Sequence, residues 1–158
     1  MIGVLAVLLL GCAGFIASTR MVQPKAPQDR LKSMTVSNPV FHFEIPVSDM
    51  ERAVGFYEAV LNVKLVRRNV DGYEMAFFPR ADGKPGASGA LALGNVYAPA
   101  KTGAIIYFDV SDIDQALGRA KVLGAAVLYP KKDIGPDGYV AEIEDSEGNR
   151  MAFSQIKN

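Results

Sequence analysis

The 158-residue chain contains a single histidine, His42, and a single cysteine, Cys12. His42 sits in Val40–Val47, where Phe41, Phe43, Ile45 and Val47 alternate with His42, Glu44 and Pro46. That period of two predicts a strand with one apolar face and one face carrying an imidazole beside a carboxylate. Two residues apart on one face, His42 and Glu44 can lie close together. In a dry cavity a Glu resists ionisation and can serve as a general base, which makes Glu44 the candidate catalytic residue. The same side chain can equally bond a backbone N–H or reach a rim, and His42 can simply line a pocket. A Ser–His–Asp set has no support beyond this one histidine, since no nucleophile elbow is present. Gly86-Ala87-Ser88-Gly89 is not a phosphate loop, because no Lys follows and no helix opens after it.

The elements that must position these residues come in two copies. Val47-Ser48-Asp49-Met50-Glu51-Arg52-Ala53-Val54-Gly55 recurs 63 residues later as Val110-Ser111-Asp112-Ile113-Asp114-Gln115-Ala116-Leu117-Gly118. Internal similarity of this kind points to one supersecondary unit used twice. Ser48 with Glu51, and Ser111 with Asp114, have the spacing of capping boxes. Met50, Ala53, Val54, Tyr57, Val60 and Leu61 then follow helical spacing to a stop at Asn62. Strands are expected over Val63–Asn69, Tyr73–Pro79 and Ser88–Leu93, with a turn at Asp71-Gly72 and a loop over Ala81–Ala87. In the second copy a strand over Gly103–Val110 leads to a helix that ends at Gly124. A strand beginning at Ala125–Tyr129, a loop over Lys131–Gly138, and a Tyr139–Glu144/Arg150–Gln155 hairpin complete it. The expected fold class is α+β, two tandem βαβββ modules over about 39–95 and 103–156. The 63-residue offset makes Ile105 the twin of His42, and Tyr107 the twin of Glu44. Asp109 shares their face but adjoins the second helix cap.

Zero formal net charge and the lack of a basic run remove the electrostatic footprint of a nucleic-acid binder. One cysteine excludes an intrachain disulfide. Residues 1–19 form an uncharged apolar leader and 20–38 a linker, ahead of the 39–156 domain. Leu9-Leu10-Gly11-Cys12 is similar to a lipobox, which would make Cys12 a lipidation site and the protein membrane-anchored. Against export, Arg20, Lys25, Arg30 and Lys32 all follow the apolar run. Translation from Met34, giving a cytoplasmic protein, is the other reading.

The module order, with Phe43–Ala53 and Glu144-Asp145-Ser146-Glu147-Gly148-Asn149-Arg150, resembles the vicinal oxygen chelate superfamily of glyoxalase I, bleomycin-resistance proteins and extradiol dioxygenases. Within it the chain looks most like short lactoylglutathione lyase-related bacterial proteins. The resemblance implies a sheet curled around a concave pocket, frequently completed by a homodimer. It also implies a divalent metal (Zn, Ni, Fe or Mn) held by the first and last strands of each module. His42 falls on the first of those places; Ile105 and Ala152 fall on two others. No Asp, Glu or His occurs between Gly83 and Phe108 to supply the fourth. One imidazole does not hold a transition metal tightly, so no cofactor is expected, with a divalent metal at His42 as the lesser alternative. The reading that follows is metal-free binding of a small molecule by His42, Glu44, Ile105, Tyr107 and Ala152. The alternative is a lactoylglutathione lyase-like enzyme using His42 and Glu44 in a changed arrangement. A drug-sequestering groove has less support, since a cationic drug favours acidic, aromatic-rich walls and this chain has no Trp.

Overall fold

A computed structural model describes residues 40–157. The leader, the linker, Cys12 and Met34 lie outside the described residues. The first module runs β1 (His42–Val47), α1 (Met50–Leu61), β2 (Val66–Val70), β3 (Tyr73–Phe77) and β4 (Ser88–Leu93). The second runs β5 (Ile106–Asp109), α2 (Ile113–Val122), β6 (Val127–Asp133), a 3-10 turn at Gly135–Asp137, β7 (Tyr139–Glu144) and β8 (Arg150–Gln155). Each module folds its strands into one mixed sheet, in the orders β1-β4-β3-β2 and β5-β8-β7-β6. In both, the first strand pairs parallel with the last, so the helix serves as a crossover. The α+β architecture of two tandem βαβββ modules is therefore present, as two sheets not closed into a barrel.

One core unites the modules. Ile45 and Val47 of β1, Met50, Ala53, Phe56, Tyr57 and Val60 of α1, and Ile113, Ala116 and Ala120 of α2 are buried together with Ile143, Met151 and Phe153. Phe56 was absent from the apolar set expected for α1, yet it is buried three residues after Ala53 and meets Tyr57 edge-on. The rings of Phe43 and Phe108 meet at 5.9 Å, which brings β1 and β5 side by side without pairing them. Arg119 of α2 donates through Nε and Nη2 to the Val60 carbonyl at 3.0 and 2.8 Å, satisfying a free group at the end of α1.

Both helix starts differ from expectation. The caps are Asp49 and Asp112, one residue after each serine. Asp49 accepts from Arg52 N–H, and Asp112 from Asp114 and Gln115 N–H; a short carboxylate reaches these donors as a serine hydroxyl would. Ser48 is thereby free for another task. Glu51 turns outward to Arg67, and Asp114 to Lys131.

The task of Ser48 is a clamp between the modules. Glu147, in the β7–β8 turn, accepts from Ser48 N–H (2.9 Å), Ser48 hydroxyl (2.7 Å) and Asp49 N–H (3.1 Å). Arg52 adds Nε and Nη2, each at 2.8 Å. Beneath it, buried Asp145 accepts from the Tyr57 hydroxyl at 2.6 Å and from Asn149 Nδ2 at 2.9 Å. Asn149 also donates to the Pro46 carbonyl and accepts from Ala100 N–H, both at 2.9 Å. The Glu144–Arg150 segment that carried the family resemblance thus ties the last hairpin to the first strand–helix junction.

Strand ends moved where other bonds compete. β2 starts at Val66 rather than Val63, because Val63 and Leu65 N–H groups go to the Glu58 carbonyl and side chain. β5 starts at Ile106, leaving Ile105 before the strand. β6 continues to Asp133 through residues expected to be loop; the second of its two register shifts contains Pro130, which an edge strand tolerates. Phe41 lies outside β1 and is 73% exposed, with Arg80 over its ring at 5.1 Å. Asn62 and the Asp71-Gly72 turn behave as expected, with φ of 57°, 51° and 84°.

Candidate functional site

On the first sheet, the face turned away from α1 carries His42, Glu44, Met75, Phe77, Ala90 and Ala92, as register and alternation require. His42 Nε2 stands 3.6 Å from Glu44 Oε1, so the strand does bring this pair together. Glu44 Oε2 accepts from the Tyr97 hydroxyl at 2.7 Å. That hydrogen bond to a carboxylate, followed by burial, raises the Tyr97 phenol above its ordinary value and keeps it a donor. The His42 ring lies 6.1 Å from Phe77, over which the Arg68 guanidinium is seated at 3.8 Å. Below them Met75, Ala90 and Ala92 are buried against Tyr73, Phe77 and Tyr97. The His42 and Glu44 side chains are 33% and 38% exposed.

The second sheet places Tyr107 opposite Ala152, and Ala152 opposite Glu142. Tyr107 is half exposed and Ala152 fully buried. Glu142 is buried and accepts from Arg150 Nε at 2.7 Å, the arrangement a carboxylate requires away from water. The register exposes a correspondence between modules. Glu44 pairs with Ala90, and its twin Tyr107 pairs with Ala152. Both last strands therefore present a methyl group at matched positions. Asp109 ends β5 and is exposed.

A cavity of about 250 Å³ opens at the seam where β1 meets the β4–β5 connection and the start of β8. Glu44 and Pro46 line it with Ala104, Ile106 and Arg150. Of the five residues expected to share a pocket, only Glu44 reaches this one. His42 adjoins Glu44, Tyr107 and Ala152 lie on the second sheet, and Ile105 precedes the neighbouring strand.

Residues 40–153 match the Glyoxalase/Bleomycin resistance protein/Dioxygenase superfamily. The chain belongs to this superfamily. Among solved structures, a glyoxalase/bleomycin resistance protein/dioxygenase domain from Frankia sp. EAN1pec is 21% identical, with a TM-score of 0.60 over 77% of this chain and 100% of that one. A glyoxalase I mutant from Zea mays is also 21% identical, with a TM-score of 0.55 over 74% of this chain and 46% of that one. This chain therefore spans less than half of the maize protein. TnmS3, an antibiotic binding protein from Streptomyces sp. CB03234, is 24% identical, with a TM-score of 0.54 over 78% of this chain and 99% of that one. At such identities the likeness is one of fold. No curated protein matches the chain.

Arg150, Glu142 and Tyr97 were not singled out from sequence. The first two had a signal: a turn over Asp145–Asn149 fixes the hairpin register and sets Arg150 diagonal to Glu142. Tyr97 had none, because it lies in a connection whose path only the folded chain defines.

Proposed function

We propose that this superfamily member binds a small molecule on its inner face without a metal ion. The observation that supports it best is the pair of alanines, Ala90 and Ala152, at matched places on the two last strands. Methyl groups donate no electron pair. Among the described residues no three His, Cys, Asp or Glu side chains converge. His42 has one carboxylate beside it, and that carboxylate already accepts from Tyr97. Such a donor set does not fit the three or four ligands a tightly held divalent ion takes. Apolar walls with a few polar groups are what a small-molecule site requires. The Streptomyces neighbour, described as antibiotic binding, is consistent with the fold serving such a role.

The test is the metal content of full-length protein purified without an affinity tag, measured by mass spectrometry after dialysis. Well under one metal per chain is expected, with no tight site on titration with zinc or nickel. About one metal per chain, lost on His42→Ala, would overturn the reading. One observation favours a second reading: the 3.6 Å approach of His42 to Glu44 is an acid–base pair open to solvent. Turnover of a glutathione–methylglyoxal adduct, lost on Glu44→Gln, would establish a lactoylglutathione lyase-like enzyme instead. The homodimer that the resemblance implies is measurable by light scattering on the same sample.

A further inference from the structure

We infer that the seam cavity is a subsite for an amphoteric ligand, one carrying an ammonium and a carboxylate on a short apolar body. This rests on the small-molecule-binding reading above and names the ligand's chemical class. The cavity has one fixed charge of each sign, Glu44 and Arg150, and its other walls are short and largely apolar, including Ala98, Ala104 and Ile106. Neither charge is used up. Glu44 gives Oε2 to Tyr97, while Oε1 has only the His42 ring, at 3.6 Å. Arg150 spends Nε and Nη2 on Glu142, and its Nη1 has no hydrogen-bond partner among the described residues. Thr102 adds a hydroxyl to the lining.

A ligand with a single charge would serve only one of Glu44 Oε1 and Arg150 Nη1 and cover the other without a hydrogen-bond partner, which is costly. A ligand with both charges satisfies the two at once through charge-assisted hydrogen bonds. Size agrees. The cavity has a volume of about 250 Å³. That is below the range of sites for drug-sized ligands, and suits a body of a few methylene groups.

The experiment is calorimetric titration of the full chain with β-alanine, 4-aminobutanoate and 6-aminohexanoate, against butylamine and butanoate. At least one amino acid of the series is expected to bind about tenfold or more tightly than either singly charged control. Glu44→Gln, which keeps an acceptor for Tyr97, should weaken that binding about tenfold or more. Ala104→Leu, at an exposed position that leaves both charges in place, should abolish it by filling the cavity. Absence of binding by the whole series overturns the inference, as does equal binding of the controls or binding indifferent to both variants. Tightly held metal in the wild type would instead overturn the metal-free reading, and the titration decides the present inference in either case.

Discussion

Replacing Glu147 with Gln tests whether the clamp carries measurable stability. The Glu147 side chain has no solvent-accessible surface and gathers donors from Ser48, Asp49 and Arg52. Burial alone would push its carboxyl up; the hydrogen bonds from Arg52, from the Ser48 hydroxyl and N–H and from Ser146 outweigh it and hold the group at about 2, against 4.5 unperturbed. A carboxyl so displaced corresponds to about 3 kcal/mol of folding stability. Arg52 is half exposed and the clamp lies near the surface, so water screens part of this and about 2 kcal/mol is the working figure. Because the folded value is lowered, the contribution is complete above pH 4.5 and is lost as pH falls toward 2. Urea unfolding of wild type and Glu147→Gln at pH 7 should differ by about 2 kcal/mol. The difference should shrink toward zero as the pH is lowered to about 2. An equal difference at both pH values would refute the electrostatic account and leave only packing.

Three further outcomes follow from the same geometry. Tyr57→Phe removes a buried donor whose phenol is kept protonated by burial first and by Asp145 second; the loss should cost about 1–3 kcal/mol in thermal unfolding while the secondary-structure spectrum stays intact. Gly89→Ala should cost about 1–3 kcal/mol or more, because its new methyl would run into the Phe43 carbonyl oxygen and ring. Gly55→Ala should have the opposite sign, a gain of about 0.5–1 kcal/mol, since it lies within α1 and a methyl there meets nothing within 4 Å. Denaturant midpoints of the two glycine variants against wild type check both signs.

The fold was legible because its signals are local and repeated. The recurring Val-Ser-Asp segment located both helices. The runs expected at Ser88–Leu93, Tyr139–Glu144 and Arg150–Gln155 coincide with β4, β7 and β8, and Asp71-Gly72 gave a turn whose positive φ values its residue types favour. The caps were misplaced by one residue because Ser and the following Asp are both good caps, and the choice turned on Glu147, 99 residues beyond Ser48. No local pattern contains that information. The same limit governed the site. His42 and Glu44 share a face by alternation alone, so their proximity could be read. The seam cavity needs the path of the β4–β5 connection and the placement of Arg150, which only tertiary packing fixes. Phe41 failed for a related reason: the apolar alternation continues to it, but pairing with β4 begins at His42.

The clamp also orders events during synthesis. A ribosome releases Ser48, Asp49 and Arg52 long before Glu147 emerges, and the Val60 carbonyl near the end of α1 awaits its donor, Arg119. The first module therefore stays incompletely tied until the final hairpin is made. Chains stalled before that point would expose the face that α2 and β8 later cover, and would be the species most open to aggregation and proteolysis.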